Sequence, residues 1–319
     1  MRLATFRDAA DAIDTRIGVV RGERIVDVAR AALLAGEEPP AELREMQALI
    51  AAGEAGLRRV AALLHGAPEE AELPLASVEL LAPLPRPRKN VFCLGRNYAE
   101  HAAESLRAAG QEVRLADYPN VFTKAPTAIT GPYADIPYDA SVTPELDWEV
   151  ELAVVIGRAG RHIAKDDALA YVWGYTVLND VSERDFNRRM TDRKVREIDP
   201  FFDWLMGKWF DGFCPLGPEV VSAEEIPDPH SLAIKLWVNG QLMQDANTSQ
   251  MIFGIPQAIS YISQVLTLEP GDIIAMGTPA GVGKGRGICL KAGDTMRGEI
   301  EGIGVLETPV IFDERTRGS

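Results

Sequence analysis

Cysteine is scarce in this chain: Cys93, Cys214 and Cys289 are its only three. Their number is odd, their spacings are wide and none forms a CxxC pair. That excludes a disulfide framework and fits buried free thiols in a reducing compartment. Histidine is nearly as rare, with His65, His101, His162 and His230 the only four, none close to another. Basic charge is also short. Thirty-three Lys and Arg against 47 Asp and Glu leave a net charge of −14 and a pI of about 4.9. Nonspecific binding to nucleic acid or to an anionic membrane is therefore not expected. No apolar run approaches the length of a membrane span. The first residues hold no basic stretch followed by an apolar core, so no signal peptide is read there and the cytoplasm is the default. Internal repeats and low-complexity tracts are absent.

What remains is ordinary for a globular protein with a sizeable core: 46% apolar and 25% charged residues over 319 positions, or one large domain with a small appendage. The β-rich runs Thr15–Val20 and Arg24–Val28 flank Arg21-Gly22-Glu23, a hairpin turn. A helical period follows from Pro40 to His65. The stretch LAPLPRPRKN reads as a linker, which places a boundary near residue 83. The expectation is a small N-terminal α+β domain over residues 1–83 and the main domain over residues 84–319. Beyond Asn90, short β-type runs alternate with turns rich in Gly, Pro and Asp, so the class is α+β with strands dominant. Asn239-Gly240 between two apolar runs signals a hairpin, and one clear helix is expected from the caps Thr248 and Ser249 through Val265.

The segment ELDWEVELAVVIG is the most informative. Leu146, Trp148, Val150, Leu152, Val154 and Ile156 fall on one parity; Asp147, Glu149 and Glu151 fall on the other, so the acids share one face of a strand. Residues i and i+2 lie roughly 7 Å apart along a strand, close enough for two carboxylates to converge on one cation. An edge strand with a solvated acidic face is the plain alternative. Ala153 and Val155 argue against it, because they make the acid-bearing parity apolar as well. Acids on a doubly covered strand are buried, and buried like charges require a cation or a proton. The next strand, ALAYVWGYTVLND, ends in Asp180. Three oxygen ligands without a nearby cysteine or histidine pair suit Mg²⁺ or Mn²⁺. Half of the coordination shell then stays open for a bidentate 2-oxo acid.

Other segments offer supporting chemistry. His101 and Glu104 stand at i and i+3, which on a helix makes a general-base pair; an exposed helix on which they merely meet is the alternative. Lys124 and Lys208 sit among apolar residues, as lysines that neutralise a substrate carboxylate or an enolate do, and as snorkelling surface lysines also do. Arg96 fits the same role. AMGTPAGVGKGRG lacks both the GxxxxGK[ST] and the full GxGxxG order, so it is not a nucleotide loop. It is either a tight turn or a cradle of backbone N–H groups for an anion, with Thr278 its only hydroxyl. The irregular, charged stretch from Asn179 to Trp209 reads as a lid, a dimer contact or a solvated excursion, with Arg184, Asp185 and Asn187 as minor candidates.

Taken together, the segments GRNYAEHAAE, FTKAP, LDWEVELAVVIG, NDVSERD, GKWFDGFCPLGP, VNGQLMQ, LEPGDIIAMGTPAGVG and GDTMRGEIEGIGVLETPV resemble, in order, the fumarylacetoacetate hydrolase superfamily. The resemblance implies a mixed β-sandwich roll, usually dimeric. It implies Mg²⁺ or Mn²⁺ held by Glu149, Glu151 and Asp180, and a water-activating dyad of His101 and Glu104 on a lid. By the same resemblance Lys208 and Thr278 face the substrate, and Arg96 and Lys124 lie near its carboxylate. Phe201, Phe202 and Trp204 extend the pocket or the dimer contact. The activity expected first is metal-dependent C–C bond hydrolysis of an acylpyruvate or related 2,4-dioxo acid, with a 2-oxo acid as the only partner besides a second copy. The alternatives are an isomerase or decarboxylase of 2-oxo dicarboxylic acids, of the 2-hydroxyhepta-2,4-diene-1,7-dioate isomerase or oxaloacetate decarboxylase type, and a metal-binding protein without catalysis.

Overall fold

The computed structural model describes residues 1–9, 11–108, 110, 112–189 and 192–313. Among them strands dominate: a mixed sheet of twelve strands, a second of five and a pair of two carry the architecture. At the centre of the large sheet lies the strand Val150–Ile156. It runs antiparallel to Val172–Asn179 on one side and to Ile273–Ala275 on the other. All seven of its residues are buried, as expected of a strand that reads as one continuous apolar run and is covered on both faces.

The two parities of this strand serve two different cores. Leu146, Trp148, Val150, Leu152, Val154 and Ile156 enter the larger one, which also takes the apolar face of the helix Ile255–Val265. Ala153 and Val155 enter the second, together with side chains of the first 83 residues such as Leu3, Val19, Leu49 and Val60. The N-terminal strand Arg2–Asp8 pairs with Cys214–Ser222, with Arg2 opposite Val221. The sheet and its core therefore run without a break across the sequence boundary at residue 83.

Local signals explain most element ends. Strands Asp11–Arg21 and Arg24–Asp27 close on the pair Arg21 and Arg24, and Gly22 supplies the positive φ of 60° that this tight turn requires. The helical stretch expected between Pro40 and His65 is three pieces, Ala41–Leu43, Met46–Ala51 and Gly53–His65. Gly53, at φ 56°, is the left-handed joint between the last two. The hairpin at Asn239-Gly240 joins Ala233–Val238 to Gln241–Asn247 through φ values of 50° and 77°, both positive as the favoured two-residue turn requires. The helix expected from Thr248 starts later. Thr248–Gln250 is a single 3₁₀ turn, and the α-helix begins at Ile255, where Gln257 Oε1 caps the Gly254 N–H at 3.0 Å and Pro256 occupies the first turn, where its missing N–H costs nothing.

Candidate active site

The central strand does not run unbroken through its acids. Leu146–Asp147 is a short separate strand, and Trp148 and Glu149 form an interruption before Val150. The interruption is tied down from the next strand: Glu149 N–H donates to Asn179 Oδ1 at 2.9 Å, and Asp180 N–H donates to the Glu149 carbonyl at 2.8 Å. Glu149, Glu151 and Asp180 are thereby brought together. All three are buried, and each offers a carboxylate oxygen within 4.8 Å of the others.

Cations crowd round this cluster. Lys208, which follows the helix Asp199–Met206, is 1% exposed. Its Nζ donates to Glu149 Oε2 and Asp180 Oδ2, both at 2.7 Å. Phe122 and Trp204 flank the same ammonium at 5.1 and 5.6 Å from their ring centres. Arg184 spans Asp147 and Glu149, with Nε 2.8 Å from Asp147 Oδ2 and Nη2 on Glu149. Burial raises the Glu149 carboxyl, but Arg184, Lys208 and His101 outweigh it and hold Glu149 well below the usual carboxylate range. His101 therefore lies near enough for its charge to act on the cluster.

The helix Ala99–Ala108 carries His101 and Glu104. His101 is 7% exposed, and its Nδ1 lies 3.7 Å from Glu104 Oε2, beyond hydrogen-bond reach, so this nitrogen is buried without a partner. Glu104 accepts the Gly281 N–H at 3.2 Å. Its carboxyl is lowered although burial opposes this, because His101, the Gly281 N–H and Arg286 favour the anion.

The remaining expected residues are placed as follows. Lys124 is fully buried behind Asp180, and its three protons go to Asp180 Oδ1 at 2.6 Å, the Lys208 carbonyl at 2.7 Å and the Val181 carbonyl at 3.1 Å. It braces the cluster rather than facing a ligand. Thr278 Oγ1 donates to the Val150 carbonyl at 2.9 Å and accepts from Gln244 Nε2 at 2.8 Å. Arg96 is exposed at the left-handed φ of 55°, held there by Asn97, whose side-chain amide donates to the carbonyls of Phe253 and Met276 at 2.9 and 2.8 Å. Trp204 packs on Phe122, whereas Phe201 and Phe202 point outward, 51% and 50% exposed. Asn187 donates to Asp203 at 3.2 Å, and the Asp185 N–H to Glu183 at 2.7 Å. The sequence puts Asp147 on the acid-bearing face but gives it no role, and singles out neither Asn179 nor Gln244. Gln244 joins the Val150 N–H to the Thr278 loop, and no local pattern marks it.

Residues 90–311 match the model of the fumarylacetoacetate (FAA) hydrolase C-terminal family. The chain belongs to this family. Among its relatives, the mitochondrial oxaloacetate tautomerase of Xenopus laevis is 38% identical over 315 residues, covering 98% of this chain and 90% of that protein. An oxaloacetate tautomerase of Bacillus subtilis (strain 168) is 42% identical, covering 74% of each. Among solved structures, maleylpyruvate hydrolase from Sphingobium sp. SYK-6, in complex with manganese(II) ion and pyruvate, superposes with a TM-score of 0.75 at 33% identity over 98% of this chain and 100% of that one. The fold expected from the sequence is thus the fold of the fumarylacetoacetate hydrolase family. The curated relatives named oxaloacetate tautomerase favour the isomerase or decarboxylase alternative over the acylpyruvate hydrolase expected first.

The carboxylate cluster fits the divalent ion of such enzymes on its own chemistry. Burial pushes the Glu151 carboxyl well above the usual carboxylate range, and Asp180 and Glu149 push it further, although Lys208 and the Gly277 N–H at 2.7 Å offset part of this. Lys208, Lys124 and Arg184 bond Glu149 and Asp180, and among the described residues no cation bonds Glu151. A buried set of oxygen donors with one carboxyl left without a cationic partner suits a hard cation of the Mg²⁺ or Mn²⁺ kind. Among the described residues, no helix is long and apolar enough to cross a membrane.

Proposed function

We propose that this protein is a divalent-metal-dependent tautomerase of a small 2-oxo dicarboxylic acid of the oxaloacetate kind, with Glu149, Glu151 and Asp180 as ligands of Mg²⁺ or Mn²⁺. One observation carries the chemistry: the unpartnered imidazole nitrogen of His101, with Glu104 beside it at 3.7 Å, lies near enough to Glu149 to lower its carboxyl. A tautomerase needs such a proton-holding group over a site that stabilises an enolate. Hydrogen bonds of this type are often long before substrate arrives and tighten afterwards.

Held by Glu149, Glu151 and Asp180, a divalent ion would supply Lewis acidity toward a 2-oxo acid. The enol loses its proton from the C2 oxygen, C3 gains one, and no other atom enters or leaves. His101, with Glu104 beside it, holds the proton delivered to C3. The Lys208 ammonium, kept charged by Asp180 and Glu149 despite its burial, offsets the charge that develops on the C2 oxygen. Arg96, exposed just past the strand Val91–Gly95, is the residue we assign to a substrate carboxylate.

The test adds the enol form of oxaloacetate to the protein with Mn²⁺ or with chelator. It follows the loss of enol absorbance and assays CO₂ and pyruvate in parallel. Metal-dependent acceleration of enol loss without CO₂ is the expected result. CO₂ and pyruvate in step with turnover would move the protein to the decarboxylase reading. An inert response to oxaloacetate, beside release of pyruvate and a second acid from an acylpyruvate, would restore the hydrolase.

A further inference from the structure

Glu149 lies outside the regular strand, so the ladder does not aim its carboxylate. Besides Lys208, the group that holds this carboxylate is the Arg184 guanidinium. Arg184 is itself held by Asp147, through Nε at 2.8 Å. Asp147 is 1% exposed and fixed by three backbone donors: the N–H of Trp148 at 2.8 Å, of Gly283 at 2.6 Å and of Lys284 at 3.1 Å. A Cβ on Gly283 would stand 2.6 Å from Asp147 Oδ1, so this arrangement requires glycine at that position. The contacts run in series from the glycine-rich segment through Asp147 and Arg184 to Glu149.

We propose that Asp147 is a positioning residue, which locks the glycine-rich segment to Arg184 and so orients the Glu149 carboxylate toward the metal. The inference rests on the reading of Glu149, Glu151 and Asp180 as metal ligands. It differs from a mere charge effect in one respect: the place of the Asp147 carboxylate matters, not only its sign. Outer partners of this kind set ligand orientation, and their loss typically weakens metal binding by about 10–100-fold.

Three variants separate place from charge. Asp147→Asn keeps the shape and loses the charge; its amide nitrogen would face the donors of Lys284 and Arg184, releasing Arg184 wholly onto Glu149. Asp147→Glu keeps the charge and moves the carboxylate by one methylene. Glu145→Gln removes an equal charge two residues upstream and keeps the Glu145 carbonyl, which accepts the Arg184 N–H at 3.0 Å. The measurements are calorimetric Mn²⁺ titration of metal-free protein, the thermal midpoint in chelator, and kcat and KM for enol-oxaloacetate. Asp147→Asn and Asp147→Glu should both weaken Mn²⁺ binding about 10–100-fold in folded protein and lower kcat, while Glu145→Gln stays within about twofold of the parent. Parent-like Mn²⁺ binding by Asp147→Glu would overturn the inference in favour of charge, and parent-like binding by Asp147→Asn would overturn it outright. Should either variant fail to fold, Arg184→Lys provides an independent reading. It keeps the charge but not the fork, so weaker Mn²⁺ binding is expected and parent-like binding would overturn the inference. A parent that bound no Mn²⁺ would overturn the metal reading and this one with it. A parent that binds and turns over beside equally competent Asp147 variants would remove this inference alone.

Discussion

Replacing Glu151 by glutamine should stabilise the metal-free protein and abolish its response to metal. The structural reason is that Glu151 is the member of the acid cluster that Lys208 does not bond; that ammonium serves Glu149 and Asp180. At 4.8 Å, the outer separation of the donor oxygens, two unit charges at an effective dielectric constant of 20 repel by about 3.5 kcal/mol. Glu151 feels two such neighbours, and attraction to Lys208 cancels much of the sum, which leaves about 1–3 kcal/mol to be gained. Glutamine still accepts the Gly277 N–H through its remaining oxygen, so the 2.7 Å hydrogen bond survives. For a chain of 319 residues this amounts to a rise of about 2–4 °C in Tm in chelator. Mn²⁺ at a hundredfold excess over its Kd should in contrast raise the parent by about 2.7 kcal/mol, again about 4 °C, and leave the variant unmoved. Thermal unfolding by circular dichroism at pH 8, with chelator and with Mn²⁺, reads both arms. The pattern expected is crossed, with the variant above the parent in chelator and the advantage lost in Mn²⁺. A variant less stable than the parent in chelator would refute the repulsion argument, and one with the parent's Mn²⁺ shift would refute the ligand assignment.

The other predictions address neighbouring parts. His101→Asn should lower kcat by about 10²–10⁴-fold and leave Mn²⁺ affinity within a few-fold, read by titration and steady-state kinetics; unchanged kcat would remove the proton-holding role. Glu183, 1% exposed, has its carboxyl raised by burial to about 7 although the N–H groups of Asp185 and Glu145 favour the anion. The unfolded chain therefore releases this proton near 4.5 while the fold holds it to about 7, so stability falls between those pH values and stays lower above them. Glu183→Gln should then raise Tm at pH 8, by about 1–3 kcal/mol in stability, and match the parent at pH 4; an equal gain at both pH values would contradict the assignment.

The acid cluster is legible in the sequence because alternation is a local property. Ala153 and Val155 already show that the acid-bearing face is covered, and the second core confirms the burial they imply. Asp180 follows from its place at the end of the next apolar run. The partners of these acids are not legible in the same way. Asp147 meets Gly283 across 136 positions of chain, and Val150 meets Gln244 across 94; no periodicity carries that information. Lys124 shows the limit from the other direction. Its apolar surroundings mark it as buried, which it is, but whether a buried lysine faces a ligand or braces a carboxylate depends on where three carbonyl and carboxylate oxygens lie. The interruption at Trp148 and Glu149 was hidden too, because both residues keep the parity of an unbroken strand.

The sequence fits the glycine-rich segment to a turn or to a cradle for an anion, and its N–H groups do meet carboxyl groups, but those belong to the protein. Gly277 donates to Glu151, Gly281 to Glu104, and Gly283 and Lys284 to Asp147. One segment thus holds a proposed metal ligand, the partner of the proposed proton carrier and the anchor of Arg184 in a common register. The glycines are required by space as well as by dihedral angle. Gly281 sits at φ 105°, and a Cβ there would stand 2.1 Å from the Met243 carbonyl. Gly281→Ala must shift the segment, and a shift cannot reach Glu104 without also reaching Glu151 and Asp147. Mn²⁺ affinity and kcat should therefore fall together in this variant, whereas His101→Asn separates them. Loss of kcat alone in Gly281→Ala, with metal binding intact, would show that the segment serves the dyad and not the metal ligands.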